Sequence, residues 1–354
     1  MKVLFVYRYL TMGGVEAVLH ARLDGLQRHA WDAHAWFLFD GPGRALFEDV
    51  PDRVHVGDLV QLGKHLSQEH YDLVSSIDTE ETLLALEHLD PAPVFIMEAH
   101  SPYAENLEYL RSLRAGLVRA FLVPSAFQEE VVRARLPAGV RIWVAPNPLA
   151  ASFASAVGDF DPPPPRPVVA WVGRLDPVKN WVEFIALAEE LAKTDVPVEF
   201  WLIGRSPGRD HGRTLYQRAE SARILGQLRW FREVHHAHMA NFLDAVRCSG
   251  GVLVSTSRGE SFGMTIAEAM ARGCAVVAPG MGPFAEFMQP GKHGLTYPLG
   301  HPEQGASQVH RLLTEHSLRQ TLGERGRIHI LGRHGPEIAL AALTAIFREI
   351  LAQE

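Results

Sequence analysis

The sequence predicts an α/β protein of two domains of similar βα type, each a parallel sheet covered by helices on both faces. Three observations lead there. Short apolar runs alternate with amphipathic segments along nearly the whole chain, the pattern that parallel strands with crossover helices produce. A length of 354 residues exceeds what one hydrophobic core usually serves. A stretch with neither period, ASFASAVGDFDPPPPRP, interrupts the alternation near the middle.

In the first half, VLFVY (3–7), AWFLF (35–39), DLVSSI (72–77), PVFIM (93–97) and AFLVP (120–124) read as strands. VEAVLHARLDGLQRH, EETLLALEHL and AFQEEVVRARL read as the helices between them. Ligands of such a sheet bind at the carboxyl ends of its strands, and two features stand there. Gly13 and Gly14 follow the first strand and precede a helix starting near Val15. The pair reads either as a tight turn or as a place where a ligand reaches backbone amides. His100, in MEAHSPY just past PVFIM, reads either as a packed structural residue or as a functional one.

The four prolines 162–165 form an extended spacer. The expected organisation is a first domain over 1–157, a linker over 158–166 and a second domain over 167–335. The amphipathic last helix, about 336–354, is long enough to pack back on the first domain.

The second domain opens with VVAWVGRLDPVKN, a strand whose end carries Arg174 and Lys179 across an Asp176-Pro177 turn. Asn180 is placed to cap the helix WVEFIALAEELAK. A guanidinium fork and an ammonium point charge both suit phosphate oxygens, while isolated exposed cations are more often plain surface charges. VEFWLIG then reads as a strand, SPGRDHG as a glycine-rich turn, LRWF as a short strand and HMANFLDAVRC as a helix.

Ser255 to Pro279 concentrates the signal. GVLVS reads as a strand, SRGES as a loop, TIAEAMA as a helix closed by Arg272 and Gly273, and CAVVA as the next strand. Glu260 and Glu268 stand on either side of the Ser261-Phe262-Gly263 turn. From Met264 to Glu268 a helix advances about 6 Å, comparable with the step from a diphosphate to its ribose. Unpaired N–H groups of Phe262, Gly263 and Met264 at the helix start attract an anion.

Composition narrows the classes. Hydrophobic content of 47% and charged content of 21% fit a soluble globular protein. The apolar run before Arg8 is too short for a signal peptide and no run approaches a membrane span. The expected location is the cytoplasm, including the inner membrane surface. Of the net charge of −7, residues 1–160 carry 13 Lys/Arg against 21 Asp/Glu, and residues 161–354 carry 21 against 20. The C-terminal half is the better home for an anion, and nucleic acid is disfavoured as a partner. Arg111, Arg114, Arg119, Arg133, Arg135 and Arg141 are diluted by Glu105, Glu108, Glu129 and Glu130. They read as a solvated helix face, with peripheral membrane contact the weaker alternative. Cys248 and Cys274 read as buried thiols. His235, His236 and His238 lack acidic or cysteine partners at a metal-site spacing, so no metal is expected.

GRLDPVKN, ESFGMTIAEAMARG with its E-x7-E spacing, CAVVAPGMGPFAEF and HGLTYP together resemble the retaining, GT-B-fold glycosyltransferases of family 4. The likeness is strong from Val168 to Pro298 and looser before it, where Gly13-Gly14-Val15-Glu16 and His100 match the family's phosphate-side glycines and cleft histidine. The resemblance implies two Rossmann-like domains facing across a cleft, with the nucleotide-sugar on the C-terminal one and the acceptor on the N-terminal one. It implies that Arg174 and Lys179 neutralise the diphosphate and that Glu260 binds hydroxyls of the donor sugar. The backbone of Ser261, Phe262, Gly263 and Met264 would lie against sugar and phosphate, and Glu268 would accept from the ribose. Gly13 and Gly14 would touch the diphosphate from the opposite domain, and His100 would sit near the reacting sugar. Where the family often has Lys-Gly, this chain has Lys179-Asn180.

On that reading no cofactor is needed, because the UDP- or GDP-sugar is itself a substrate. The acceptor is a sugar, a lipid-linked molecule or a small molecule. Arg, Lys and helix N–H groups stabilise the departing diphosphate without a metal, and the implied route is front-face attack assisted by the leaving phosphate. A glycosidase carboxylate pair fits less well, since a Glu one turn into the helix points toward a ribose more readily than toward an anomeric carbon. A sugar-nucleotide epimerase and a non-catalytic sugar-nucleotide-binding protein remain as alternatives.

Overall fold

The computed structural model describes residues 1–101, 103, 105–111, 113, 115–206 and 209–353. Arg114 of the basic cluster and Pro207 and Gly208 of the expected turn lie outside them. One sheet holds strands β1 (Lys2–Tyr9), β2 (Asp32–Phe39), β3 (Val54–Val56), β4 (Leu73–Ile77), β5 (Val94–Glu98), β6 (Ala120–Val123) and β7 (Ile142–Val144). A second holds β8 (Val168–Val172), β9 (Glu199–Ile203), β10 (Leu228–Phe231), β11 (Val252–Val254), β12 (Ala275–Pro279) and β13 (Leu295–Tyr297). The helices of the first half are α1 (Gly14–Leu26), α2 (Leu59–Gln68), α3 (Thr82–Leu86), α4 (Ala126–Arg133) and α5 (Ala151–Ala154). Those of the second are α6 (Trp181–Ala192), α7 (Arg209–Ser221), α8 (His236–Cys248), α9 (Met264–Ala271), α10 (Gly282–Phe287), α11 (Pro302–Thr314), α12 (His316–His334) and α13 (Pro336–Leu351).

All strand pairs are parallel, in the orders β3-β2-β1-β4-β5-β6-β7 and β10-β9-β8-β11-β12-β13. These are two Rossmann-like halves, as the sequence predicts. In each sheet the winding reverses once, between β1 and β4 and between β8 and β11, and at such a reversal a crevice opens beyond the carboxyl ends of the strands.

Contacts divide the chain into one unit of residues 1–151 and 333–354 and another of 152–332. The proline-rich stretch expected as a linker therefore lies inside the second unit. Phe160 N donates to Cys248 Sγ (3.4 Å) and the Arg247 guanidinium to the Gly158 carbonyl (2.5 Å). Arg272 donates to the carbonyls of Ser152, Ser155 and Ala156. Cys248 is only half-buried, a correction to the expected buried thiol, whereas Cys274 is buried.

Helix α13 belongs to the first unit, where Leu340, Leu343 and Phe347 are fully buried. Phe347 sets its ring 5.3 Å from that of Trp31 and 6.3 Å from that of Phe5. Helix α1 is thereby covered by the sheet on one side and by α13 on the other. A Cβ on Gly25 would lie 2.1 Å from Leu340 Cδ1, so glycine lets the two helices meet.

The elements missed by the sequence are those with little to bury. Strands β3 and β7 are three-residue pieces at the sheet margins without a fully buried residue. Helix α2 buries only Leu62 and Leu66; its start is a capping box in which Asp58 accepts from Gln61 N and Gln61 accepts from Asp58 N, each at 2.9 Å. Helix α7 starts within the stretch expected to be a turn. Arg111, Arg133 and Arg141 pair on the surface with Glu108, Glu129 and Glu349, which accords with a solvated face. No helix among the described residues is long and apolar enough to cross a membrane.

On the first sheet, His34, His55 and His65 stack together beside Trp36 and Tyr71. Burial first, then repulsion from the neighbouring histidines, pushes His55 down to about 4. A folded value below the unfolded one means the unfolded chain binds the extra proton, so this stabilisation is present above about pH 6.5 and is lost as pH falls toward 4. The His55→Phe variant should lose less stability than wild type between pH 7.5 and 4.5, by about 1–2 kcal/mol after allowing for the ring's partial exposure. Urea titrations at the two pH values check this, and equal losses in both proteins would exclude His55 as the cause.

Candidate active site

In the second unit the site residues come from two loops at the carboxyl ends of β8 and β11, the strands flanking the reversal. After β8 the chain is turned by Asp176, whose Oδ1 accepts from Val178 N (3.0 Å) and Lys179 N (2.8 Å). Asn180 precedes α6 at φ 56°, but its side chain caps no backbone amide. Its Nδ2 donates instead to Glu183 Oε2 (2.6 Å), which corrects the expected capping role. The other Glu183 oxygen accepts from Tyr297 Oη and Gly300 N, both at 3.1 Å. The second loop is stitched to the first. Thr256 Oγ1 accepts from Trp171 Nε1 and donates to the Asn180 carbonyl, both at 2.9 Å, and Arg258 N donates to the Val178 carbonyl at 2.7 Å.

This bracing sets Lys179 Nζ 2.6 Å from Glu260 Oε1 in a pocket that Trp171, Ser257, Gly263 and Phe284 also line. Gly263 turns the chain into α9 at φ 98°, and a Cβ there would lie 2.5 Å from the Phe284 ring. Both reasons require glycine. Thr265 in the first turn of α9 lines the pocket as well, so the helix start adjoins it.

The remaining expected residues lie off this lining. Arg174 is largely exposed, its Nε 3.1 Å from Asp176 Oδ2. Phe262 is buried, its ring 5.2 Å from that of Phe287, while Ser261 and Met264 are half-buried. Glu268 is buried one turn into α9, 3.6 Å from Nε2 of His236 on α8. Each of the two cations expected to meet a diphosphate thus has a carboxylate beside it, and the four groups together carry no net charge. Among the described residues no group of His, Cys, Asp and Glu is arranged to hold a metal; His235, at the start of α8, accepts from Ala237 N.

In the first unit, Gly13 is the N-cap of α1 and Gly14 its first residue. Glu16 in the first turn is buried, and its Oε1 accepts from Thr11 N (2.7 Å) and Thr11 Oγ1 (2.5 Å). A Cβ on Gly13 would lie 2.9 Å from Glu16 Oε2, so an anionic group already stands beside this helix start.

His100, two residues past β5, is buried in a polar cluster that sequence reasoning missed. Glu98 receives both guanidinium Nη atoms of Arg22 (2.7 and 2.9 Å), Ser75 Oγ (2.6 Å) and contact from His100 Nε2 (2.8 Å). Burial works to raise the Glu98 carboxyl, but Arg22 and His100 outweigh it and hold the group well below the usual carboxylate range. Asp78, at φ 44° just past β4, accepts from His100 N (3.0 Å). Burial pushes Asp78 up to about 6, against the pull of His100. The sequence signal for the cluster is faint: Arg22 sits on a helix face with Val18, Leu19 and Leu26, and Glu98 ends an apolar strand.

Residues 158–329 match the family described as Glycosyl transferases group 1. The matched stretch contains Arg174, Lys179, Glu260 to Met264 and Glu268; Gly13, Gly14 and His100 lie before it. The lipopolysaccharide core biosynthesis glycosyltransferase LpsE of Rhizobium meliloti is 30% identical over 198 residues, 55% of this chain and 52% of that protein. The phosphatidyl-myo-inositol mannosyltransferase of Mycobacterium tuberculosis is 29% identical over 159 residues, 45% of this chain and 40% of that protein. The chain thus spans about half the length, or less, of these curated relatives. The crystal structure of Anabaena Alr3699/HepE in complex with UDP-glucose matches 99% of this chain and 100% of its own at a TM-score of 0.82 and 17% identity. At that identity the likeness speaks for the fold, which is GT-B.

Proposed function

We propose that the protein is a glycosyltransferase that moves a sugar from a UDP- or GDP-sugar to a sugar, lipid-linked or small-molecule acceptor, with retention of configuration and without a metal ion. The observation that carries this reading is the meeting of Lys179, Glu260 and the start of α9 in one pocket of the stretch that matches the group 1 family. A diphosphate finds there a cation and helix N–H donors, and a sugar hydroxyl finds a carboxylate. The UDP-glucose held by a protein of the same fold, and the sugar transfer named for the relatives, support it.

Breaking a sugar–phosphate bond develops negative charge on the leaving diphosphate. Arg174, Lys179 and the amides of Phe262, Gly263 and Met264 would stabilise that charge in place of a metal. Ser261 and Glu260 would face the donor sugar, and Glu268, about 6 Å along α9 from Met264, would accept from the ribose hydroxyls. As the family resemblance implies, Gly13 and Gly14 would be further diphosphate contacts, and His100 would stand at the reacting sugar. Attack on the face the diphosphate leaves gives retention. The work is cytoplasmic, at or away from the inner membrane surface.

Incubation with a panel of UDP- and GDP-sugars should release nucleoside diphosphate slowly, with no change on adding EDTA, and proton NMR of a transferred product should show the donor's anomeric configuration. Free epimerised sugar, or binding without turnover, would overturn the reading. Glu268→Ala should weaken binding of the matching nucleoside diphosphate about 5- to 150-fold, the loss of a charge-assisted hydrogen bond of about 1–3 kcal/mol. Calorimetry giving unchanged affinity would remove Glu268 from the ribose.

A further inference from the structure

His100 is held by side chains that sugar transfer itself does not call on. Arg22, Ser75 and Glu98 have no solvent exposure. Glu98 Oε1 accepts from Arg22 Nη1 (2.7 Å) and Ser75 Oγ (2.6 Å), and Oε2 lies 2.9 Å from Arg22 Nη2 and 2.8 Å from His100 Nε2. A carboxylate bridged by a permanently charged guanidinium and one hydroxyl donor is ionised, and an ionised carboxylate only accepts. His100 Nε2 must therefore donate. A neutral imidazole has a single N–H, so Nδ1 then carries the lone pair. Among the described residues nothing is hydrogen-bonded to Nδ1. The main chain is fixed as well: His100 N donates to Asp78 Oδ2 (3.0 Å), and Asp78 N donates to the Glu98 carbonyl (2.9 Å). Asp78 holds φ 44°, a region that non-glycine residues enter only when their surroundings enforce it.

We propose that Glu98, braced by Arg22 and Ser75, is a positioning residue that keeps the proton of neutral His100 on Nε2 and so presents Nδ1 as the acceptor for a substrate hydroxyl. The inference rests on the glycosyltransferase reading, in which His100 stands at the sugar. Its chemical content is the direction of one hydrogen bond. A lone pair on Nδ1 accepts from a sugar O–H and repels phosphate oxygens, so the group met by His100 is a hydroxyl of the donor sugar or acceptor and not the diphosphate.

Long-range nitrogen-15 correlation spectra of the full-length protein labelled at histidine read the tautomer directly. They are taken near pH ~8.5, where an ordinary imidazole is neutral, with the His100 signals assigned by their absence from His100→Ala. A protonated Nε2 and a bare Nδ1 are expected, and a protonated Nδ1 overturns the proposal. The double variant Arg22→Met/Glu98→Gln removes both buried charges together, which protects the fold. Ser75 keeps donating to the amide oxygen, the amide NH2 then faces His100 Nε2, and the tautomer should reverse. In that variant kcat should fall about 10- to 100-fold with donor KM within about twofold, and the loss should vanish in a His100→Ala background. An unreversed tautomer, or a loss that adds in full to that of His100→Ala, would sink the proposal. The spectra need no turnover, so a protein that transfers no sugar still reports its tautomer, and the two failures are distinguishable.

Discussion

Alanine at both Arg174 and Lys179 should abolish sugar transfer while leaving the protein folded, with kcat falling by at least about 10²- to 10³-fold, the usual cost of removing one preorganised donor to a developing anion. Folding survives because neither cation is part of the core. The Arg174 side chain is 57% exposed and that of Lys179 26%, and the loops that carry them are held by Asp176 and Thr256. A double variant with normal kcat would remove the clamp from the mechanism.

The pairing of Lys179 with Glu260 at 2.6 Å adds an asymmetry that a simple positive clamp lacks. Without ligand, Glu260 screens the charge that a diphosphate needs. Lys179→Ala leaves an uncompensated carboxylate facing the incoming anion, whereas Glu260→Ala leaves an uncompensated cation. Free UDP or GDP should therefore bind about tenfold more weakly to the first variant and more tightly to the second, although kcat falls in both. Calorimetric titration decides the matter. If both variants lose affinity equally, the pair does not separate when nucleotide binds.

What the sequence made legible follows from how far each interaction reaches along the chain. The βα alternation, the GVLVS strand, the turn into α9 and its glycine stop are written in neighbouring residues, and all appear in the structure. Gly263 shows both sides of this. Its place before a helix is visible locally, while the Phe284 ring that excludes any side chain comes from α10. The pairing of Lys179 with Glu260 joins positions 81 residues apart, and that of Arg22 with Glu98 joins positions 76 apart. No local period encodes such partners, so Lys179 read as a free cation and Arg22 was passed over within an ordinary amphipathic helix. The domain boundary shifted for a related reason. Prolines announce an extended chain, but Phe160 N meeting Cys248 and Arg272 gripping the 152–156 carbonyls decide which unit the segment joins.

Glu98→Ala should be the most destabilising single substitution among the site residues, by about 3–5 kcal/mol, because it strands a buried guanidinium. Arg22 has no solvent exposure, and its Cζ lies over the face of Phe5, 5.1 Å from the ring centroid. A cation–π contact of about 2 kcal/mol at most does not replace a carboxylate that accepts from both Nη atoms. Urea unfolding at pH 7 measures the loss, and a change under about 1 kcal/mol would mean that water or a relaxed rotamer rescues Arg22. The paired change Arg22→Met/Glu98→Gln should recover most of the stability, since removing both charges also removes their desolvation cost. A large single-variant loss alongside a small double-variant loss would mean that the ion pair adds little net stability over a neutral replacement. What the pair then contributes is orientation, and the group it orients is the ring of His100.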